Sequence, residues 1–190
     1  MRRPHIKKLR RMRNNKRFDL WSLDECHFQQ HGTRCRMWIP REDRDPILLH
    51  APTRKSVALF GAVNLLTGTL VTMFAPQFDA LTFETFLRVL LRHRRRSRNE
   101  TVLVLDNAKY HHASLLAPFL EQHQSFLRLD FLPPYSPDLN PIERVWKHLR
   151  RLATHNCYFS TLEELTHAVK NQIRQFEKPN LALVSLCCKN

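Results

Sequence analysis

TVLVLD, residues 101–106, is a continuous run of apolar and β-branched residues closed abruptly by an acid. A run this short with no polar alternation reads as a strand buried on both faces. Downstream, a helix is predicted near 112–123, and FLRLDFL (126–132) reads as another short strand. PPYSPDLNP then breaks the chain, and a helix follows with Ile142, Val145, Trp146, Leu149 and Leu152 on one face. A last helix is predicted from Ser160 or Thr161, each of which has a glutamate three residues on as a capping box. Its buried stripe is Leu165, Val169, Ile173 and Phe176.

Upstream of the run, residues 18–30 alternate as a strand does, with Leu20 and Leu23 near the centre and Asp24 towards the end. A polar stretch punctuated by Pro40, Pro46 and Pro52 is expected to be irregular except around Met37 to Ile39. KSVALFGAVNLLTGTLVTMF, from Lys55, is a hairpin candidate turning at Thr67-Gly68. From Leu81 to Leu91, Phe83, Phe86, Leu87, Leu90 and Leu91 recur at helical spacing, with Thr82 as a candidate N-cap. An arginine cluster (92–98) follows. Strands first antiparallel and then alternating with helices imply an α/β fold: a mixed five-stranded sheet with helices on both faces. Three segments result: a basic arm or linker (1–17), the folded domain (18–180) and a C-terminal tail (181–190).

The charge balance narrows the partner. Thirty-one Lys and Arg against seventeen Asp and Glu leave +14, nine of the basic residues falling within positions 2–17. Such an excess favours a polyanion and names no activity. No apolar run approaches the roughly 18 residues a membrane span requires, so no membrane partner is expected. Five cysteines without a CxxC pair read as reduced thiols in a cytoplasmic protein. Cys26, His27, His31 and Cys35 match none of the usual zinc-finger spacings. With three glycines in all, no Gly-rich phosphate loop is present, which argues against an NTPase.

Three acids carry the candidate chemistry. Asp106 ends a central strand, where open α/β sheets place ligands, though an Asp-Asn turn would look the same. Asp24 closes a second predicted strand and, if the strands are neighbours, emerges at the same sheet edge despite 81 intervening residues. Two acids so placed repel each other, and a pair of Mg²⁺ or Mn²⁺ ions resolves this because hard oxygen ligands suit hard cations. Glu143 has a structural alternative, which local chemistry alone favours. In LNPIERVW, Asn140 is a good N-cap, Pro141 suits the first helical position, and Glu143 completes a capping box or pairs with Lys147. A first-turn acid is also rigidly aimed, as a metal ligand should be.

The string FLPPYSPDLNPIERVW is highly specific and resembles the third-acid motif of the mariner-type superfamily of DDE transposases, more narrowly its bacterial insertion-sequence branch. VLDNAKYHH resembles the second-acid motif of that family and SLDECHFQQHG the first. The resemblance covers roughly residues 18–180 and implies an RNase H-like fold. It makes Asp24, Asp106 and Glu143 the metal-binding catalytic acids, with 36 residues between the last two. It further implies two divalent ions, cleavage at transposon ends, and strand transfer into target DNA containing a TA dinucleotide. Double-stranded DNA is then the partner, engaged by a homodimer in a nucleoid-associated, cytoplasmic setting.

Full-length relatives carry N-terminal helix-turn-helix modules, whereas a basic arm precedes the first strand here, so end recognition is expected from a separate or upstream module. In the family the segment Asn107, Lys109, His111 and His112 lies beside the active site, which offers Lys109 or a histidine to a phosphate. A solvated or cap-like histidine pair is the alternative. Arg144, Lys147, Arg150 and Arg151 form a basic helix face that either holds the DNA backbone or is simply solvated. Glu25 should point to the face opposite Asp24 and is not placed among the ligands. Trp21, Trp38 and Trp146 read as packing residues. Two rival functions are a nuclease of the same fold without strand transfer, and an inactive DNA-binding fragment that modulates an intact enzyme. A ribosome-associated structural protein explains the charge but not the three motifs.

Overall fold

The structure, a computed structural model, describes residues 2–36, 40, 49, 51–94, 100–134 and 136–188. Its strands are β1 (Phe18–Gln29), β2 (Ser56–Asn64), β3 (Leu70–Ala75), β4 (Glu100–Leu105) and β5 (Leu127–Phe131). Its α-helices are α1 (Arg2–Asn14), α2 (Ala80–Arg92), α3 (Ala117–His123), α4 (Ile142–Ala153), α5 (Leu162–Arg174) and α6 (Leu181–Cys188). Short 3₁₀ turns occupy Lys109–His112, Ser114–Leu116 and Pro137–Leu139. The sheet order is β3-β2-β1-β4-β5, with β1–β2 and β2–β3 antiparallel and β1–β4 and β4–β5 parallel. This is the mixed five-stranded sheet the sequence predicts, and Thr101 to Leu105 of β4 are all buried.

Strand alternation divides the core in two. Leu20, Cys26, Phe28, Val102 and Val104 pack on one face with Ile142, Val145, Trp146 and Leu149 of α4 and with Leu165, Val169 and Ile173 of α5. Trp21, Leu23, Leu103 and Leu105 pack on the other with Phe83, Phe86, Leu87 and Leu90 of α2. The hairpin turn depends on Gly68, whose φ of +72° favours glycine. An added Cβ there would lie 2.0 Å from the Asn180 carbonyl oxygen.

Several local expectations change. Residues 2–14, expected as an arm, form a helix because Leu9 and Met12, one turn apart, reach the core against β1. Met12 is 6% exposed, and Lys8 pairs with Asp130 at 2.6 Å. Residues 181–188, expected as a tail, are helical, with Leu183 and Cys187 buried. The N-cap of α2 is Asp79, and Thr82 is the other half of that capping box. Leu152 is 43% exposed, because the 3.6-residue stripe passes through Leu149 to Ala153. At α5, Thr161 accepts from the Glu164 amide while the Glu164 side chain reaches back to Ser160. The irregular segment around Met37 to Ile39, Trp38 within it, and most of the arginine cluster lie outside the described residues. Among the described residues, no helix is long and apolar enough to cross a membrane.

Candidate active site

Asp24 and Asp106 meet through register. The parallel β1–β4 ladder runs to Ser22↔Val104, and two residues further along each chain come Asp24 and Asp106. By alternation both fall on the α4 side of the sheet. Asp106 follows the last residue of β4, as expected. Asp24 does not close its strand, because β1 continues to Gln29 on hydrogen bonds to β2 alone. The sheet edge that Asp24 shares with Asp106 is therefore made by the end of β4.

Glu143 reaches the site through a tether that local sequence rules misread. Asn140 does not cap α4, and the residue at the N-cap position, Pro141, has no side-chain group to do so. The Asn140 side-chain amide instead donates to the Leu23 carbonyl oxygen at 3.0 Å and accepts from Ser22 Oγ at 2.5 Å. Ser22 Oγ also accepts from the Ile142 amide at 3.1 Å. Residues 140–142 are thus bound to β1 directly before Asp24. No ion pair joins Glu143 to Lys147 among the described residues, so neither structural role proposed for Glu143 is realised. Trp146, one turn along α4, donates from Nε1 to Asp24 Oδ2 at 3.1 Å. It packs as expected and also holds the first acid. Asp24, Asp106 and Glu143 line one cleft of about 450 Å³, with Asn107, Ser136 and Asn140 among its other walls.

The electrostatics are those of crowded carboxylates. Burial first, and then the charges of Glu25, Glu143 and Asp106, push the Asp24 pKa up to about 8. Asp106 is held below the usual carboxylate range, chiefly by His111 and also by the Ala108 amide. His111 is buried beneath the site: Nδ1 lies 3.2 Å from both the main-chain oxygen and Oδ1 of Asp106, and Nε2 lies 3.1 Å from Glu25 Oε1. Burial alone would lower the imidazole pKa, but the two carboxylates outweigh it and raise it to about 9.

Glu25 does take the face opposite Asp24, yet it is no solvated residue. Glu25, Asp106 and His111 are the one group among the described residues whose potential ligand atoms all lie within 4.8 Å of one another. The three carboxylates share the cleft without closing to that distance. Their chemistry nonetheless fits hard divalent cations: oxygen donors, a carboxyl driven to keep its proton by burial and by neighbouring negative charge, and an Asp106 side chain that is 52% exposed.

The surrounding basic residues divide. Lys109 and Lys147 are exposed, whereas Arg144 donates to the Cys187 carbonyl oxygen at 3.2 Å. Arg150 donates to Cys26 Sγ at 2.8 Å and stacks over Phe28. His112 is exposed against Phe131, and the Asn107 amide donates to the Leu132 carbonyl oxygen. Cys26 is buried by Arg150 while Cys35 contacts His155, so the Cys26, His27, His31 and Cys35 set forms no ligand cluster. Sequence reasoning missed Ser22 and the bridging role of His111. Asn140 and Trp146 were visible as a cap and a packing residue, and their side-chain bonds were not.

Comparison with known proteins agrees with this fold. The sequence pattern described as "DDE superfamily endonuclease" matches residues 19–166. An uncharacterized protein of Sinorhizobium fredii, y4pE/y4sA, is 32% identical over 110 residues, which is 57% of this chain and 77% of that protein. The uncharacterized 39 kDa protein of insertion element IS630 from Shigella sonnei is 28% identical over 113 residues, 60% of this chain and 32% of that protein. Among solved structures, the Mos1 mariner paired-end complex with Mn superposes with a TM-score of 0.67 at 18% identity, covering 98% of this chain and 57% of that one. The Mos1 transposase catalytic domain with raltegravir and Mn gives 0.57 at 15% identity, covering 100% and 94%. The fold is RNase H-like. The chain spans about a third of the Shigella protein and little more than half of the Mos1 chain in the paired-end complex.

Proposed function

The chain belongs to the DDE superfamily of endonucleases, and from that premise we propose that it is the catalytic domain of an insertion-sequence transposase. Its reaction is divalent-metal-dependent cleavage of DNA at transposon ends, followed by attack of the freed 3′-hydroxyl on target DNA. One observation carries the reading: three carboxylates from separate elements, β1, the end of β4 and the first turn of α4, line a single cleft. Asp24, Asp106 and Glu143 would hold Mg²⁺ or Mn²⁺, two ions in our reading. Bound there, the ions would supply charge stabilisation at the scissile phosphate and favour deprotonation of the attacking hydroxyl.

The protein's own groups do the rest. Trp146 orients Asp24, and the Ser22–Asn140 tether fixes the first turn of α4 against β1. Lys109 and Lys147, exposed near the cleft, are proposed to hold the DNA backbone. Arg144 joins them with the donors left free by Cys187. The +14 net charge supports a polyanionic partner. A homodimer on double-stranded DNA, end recognition by a helix-turn-helix module and a nucleoid-associated cytoplasmic location complete the proposal.

Asp106→Asn tests it. The variant should lose Mg²⁺-dependent cleavage of element-end DNA and Mn²⁺ binding while keeping its circular dichroism spectrum. Retained cleavage would refute the assignment. A cleaved but never joined product would indicate a nuclease without strand transfer, and a wild-type chain that binds no Mn²⁺ would indicate an inactive DNA-binding fragment.

A further inference from the structure

We propose that Glu25 and His111 are positioning residues: together they form a buried support that fixes the Asp106 carboxylate for metal binding. This rests on the function proposed above and assigns a role to two residues outside the three-acid set.

Asp106 lies just past the end of β4 with its side chain 52% exposed, so the strand ladder does not fix its rotamer. Two bonds do. The Ala108 amide donates to Asp106 Oδ1 at 3.0 Å, and His111 Nδ1 lies 3.2 Å from that same oxygen. Both fall on Oδ1, which leaves Oδ2 as the oxygen available to the cleft. Nδ1 is also 3.2 Å from the Asp106 main-chain oxygen, so His111 grips backbone and side chain of one residue at once. The imidazole is itself immobile. Its side chain is 0% exposed, with ring centroids of Phe83 at 4.4 Å and Tyr110 at 4.5 Å. Its far nitrogen is held by Glu25 Oε1 at 3.1 Å.

Glu25 comes from the opposite face of β1 to Asp24, so the support approaches Asp106 from the α2 side and leaves the α4 side clear. The cluster has the ligand types of a transition-metal site, but both ring nitrogens are committed to carboxylates. It is therefore a carboxylate–imidazole–carboxylate chain, the arrangement by which outer residues orient a metal's direct ligands.

The test is Mn²⁺ binding to the full chain, followed by the electron paramagnetic resonance signal of free Mn²⁺, with fold checked by circular dichroism. His111→Ala should weaken Mn²⁺ binding about 10- to 100-fold. Its DNA cleavage should return as Mn²⁺ is raised, a rescue that Asp106→Asn does not show and that a merely structural role would not produce. Glu25→Gln keeps an acceptor for the imidazole but loses the charge, and it should show a smaller loss in the same direction. It carries the test if His111→Ala does not fold. Unchanged Mn²⁺ affinity in Glu25→Gln and in any folded His111→Ala, beside a loss in Asp106→Asn, overturns this inference alone. Mn²⁺ binding that Asp106→Asn leaves intact overturns the proposed function and this inference with it.

Discussion

Gly61 faces Asp24 across the β1–β2 ladder, and its missing side chain is where the Trp146 ring lies. A Cβ at position 61 would sit 2.2 Å from Cη2 and 2.7 Å from Cζ2 of Trp146. Carbon atoms in good contact are about 3.5–4.0 Å apart, so Gly61→Ala must drive the ring back by about 1 Å or more. The ring has nowhere free to go, being 1% exposed. Overpacking of this kind costs about 1–3 kcal/mol. The displacement also stretches the 3.1 Å bond from Nε1 to Asp24 beyond hydrogen-bonding range. Leaving that buried donor unpaired adds about 1–3 kcal/mol. The gain from replacing a strand glycine offsets about 0.5–1 kcal/mol, for a net loss near 3 kcal/mol. Urea unfolding of the chelated protein, followed by tryptophan fluorescence, measures it. The decisive comparison is a double-mutant cycle with Trp146→Phe, whose shorter ring lacks Cη2 and Cζ2. In that background Gly61→Ala should cost less than about 1 kcal/mol, a coupling of about 2 kcal/mol. An equal cost in both backgrounds would show that the ring is not what Gly61 accommodates.

Asn140→Ala breaks the tether to Ser22 and Leu23 and leaves buried groups unpaired, a loss of about 2–4 kcal/mol in urea unfolding. Its effect should be non-additive with Ser22→Ala. Because the metal-free Asp24 pKa is raised from 3.8 to about 8, the folded state holds this proton more tightly than the unfolded state. The stabilisation it gives is full below 3.8 and is lost as pH rises through 8. Mn²⁺ competes with that proton, so calorimetric affinity should rise about tenfold per pH unit from 6 towards 8 and level off above, where a flat profile would contradict the assignment. Lys147→Ala should lower the slope of log K for DNA against log salt by about 0.9, one phosphate contact, in fluorescence anisotropy titrations. An unchanged slope would place Lys147 off the DNA path.

Those elements were legible whose patterns are local and redundant. β4 is a continuous apolar run, α5 has three stripe residues and two capping signals, and the β2–β3 hairpin has a glycine where φ must be positive. What failed was whatever a distant partner decides. Asp24 reads as closing its strand, yet β2 keeps pairing with β1 as far as Gln29. α1 reads as an arm because its apolar anchors look too few, yet Leu9 and Met12 suffice when β1 supplies the other side of the contact. His111 resembled a solvated histidine because nothing in the sequence reveals that Glu25, 86 positions away, lies 3.1 Å from it.

The same distinction explains the LNPIE segment. By local rules Asn140 should cap α4 and Glu143 should answer it, and the helix would then be self-contained. The fold breaks this arrangement at Asn140, whose side chain is taken by β1. α4 begins with no cap from its own residues, its Ile142 amide held by Ser22 of the strand that carries Asp24, and its first-turn glutamate is left to the cleft. The helix exchanges a local cap, worth about 1 kcal/mol, for the Ser22 hydroxyl of β1 and gains a fixed distance between two acids that come from different layers of the fold. Asp24 records the consequence, since Glu143 is among the charges that raise its pKa. A site assembled this way is strained by repulsion until a cation enters. Divalent metal should therefore stabilise the folded chain in proportion to RT ln(1 + [metal]/Kd), most strongly above pH 8, where Asp24 no longer has to lose a proton.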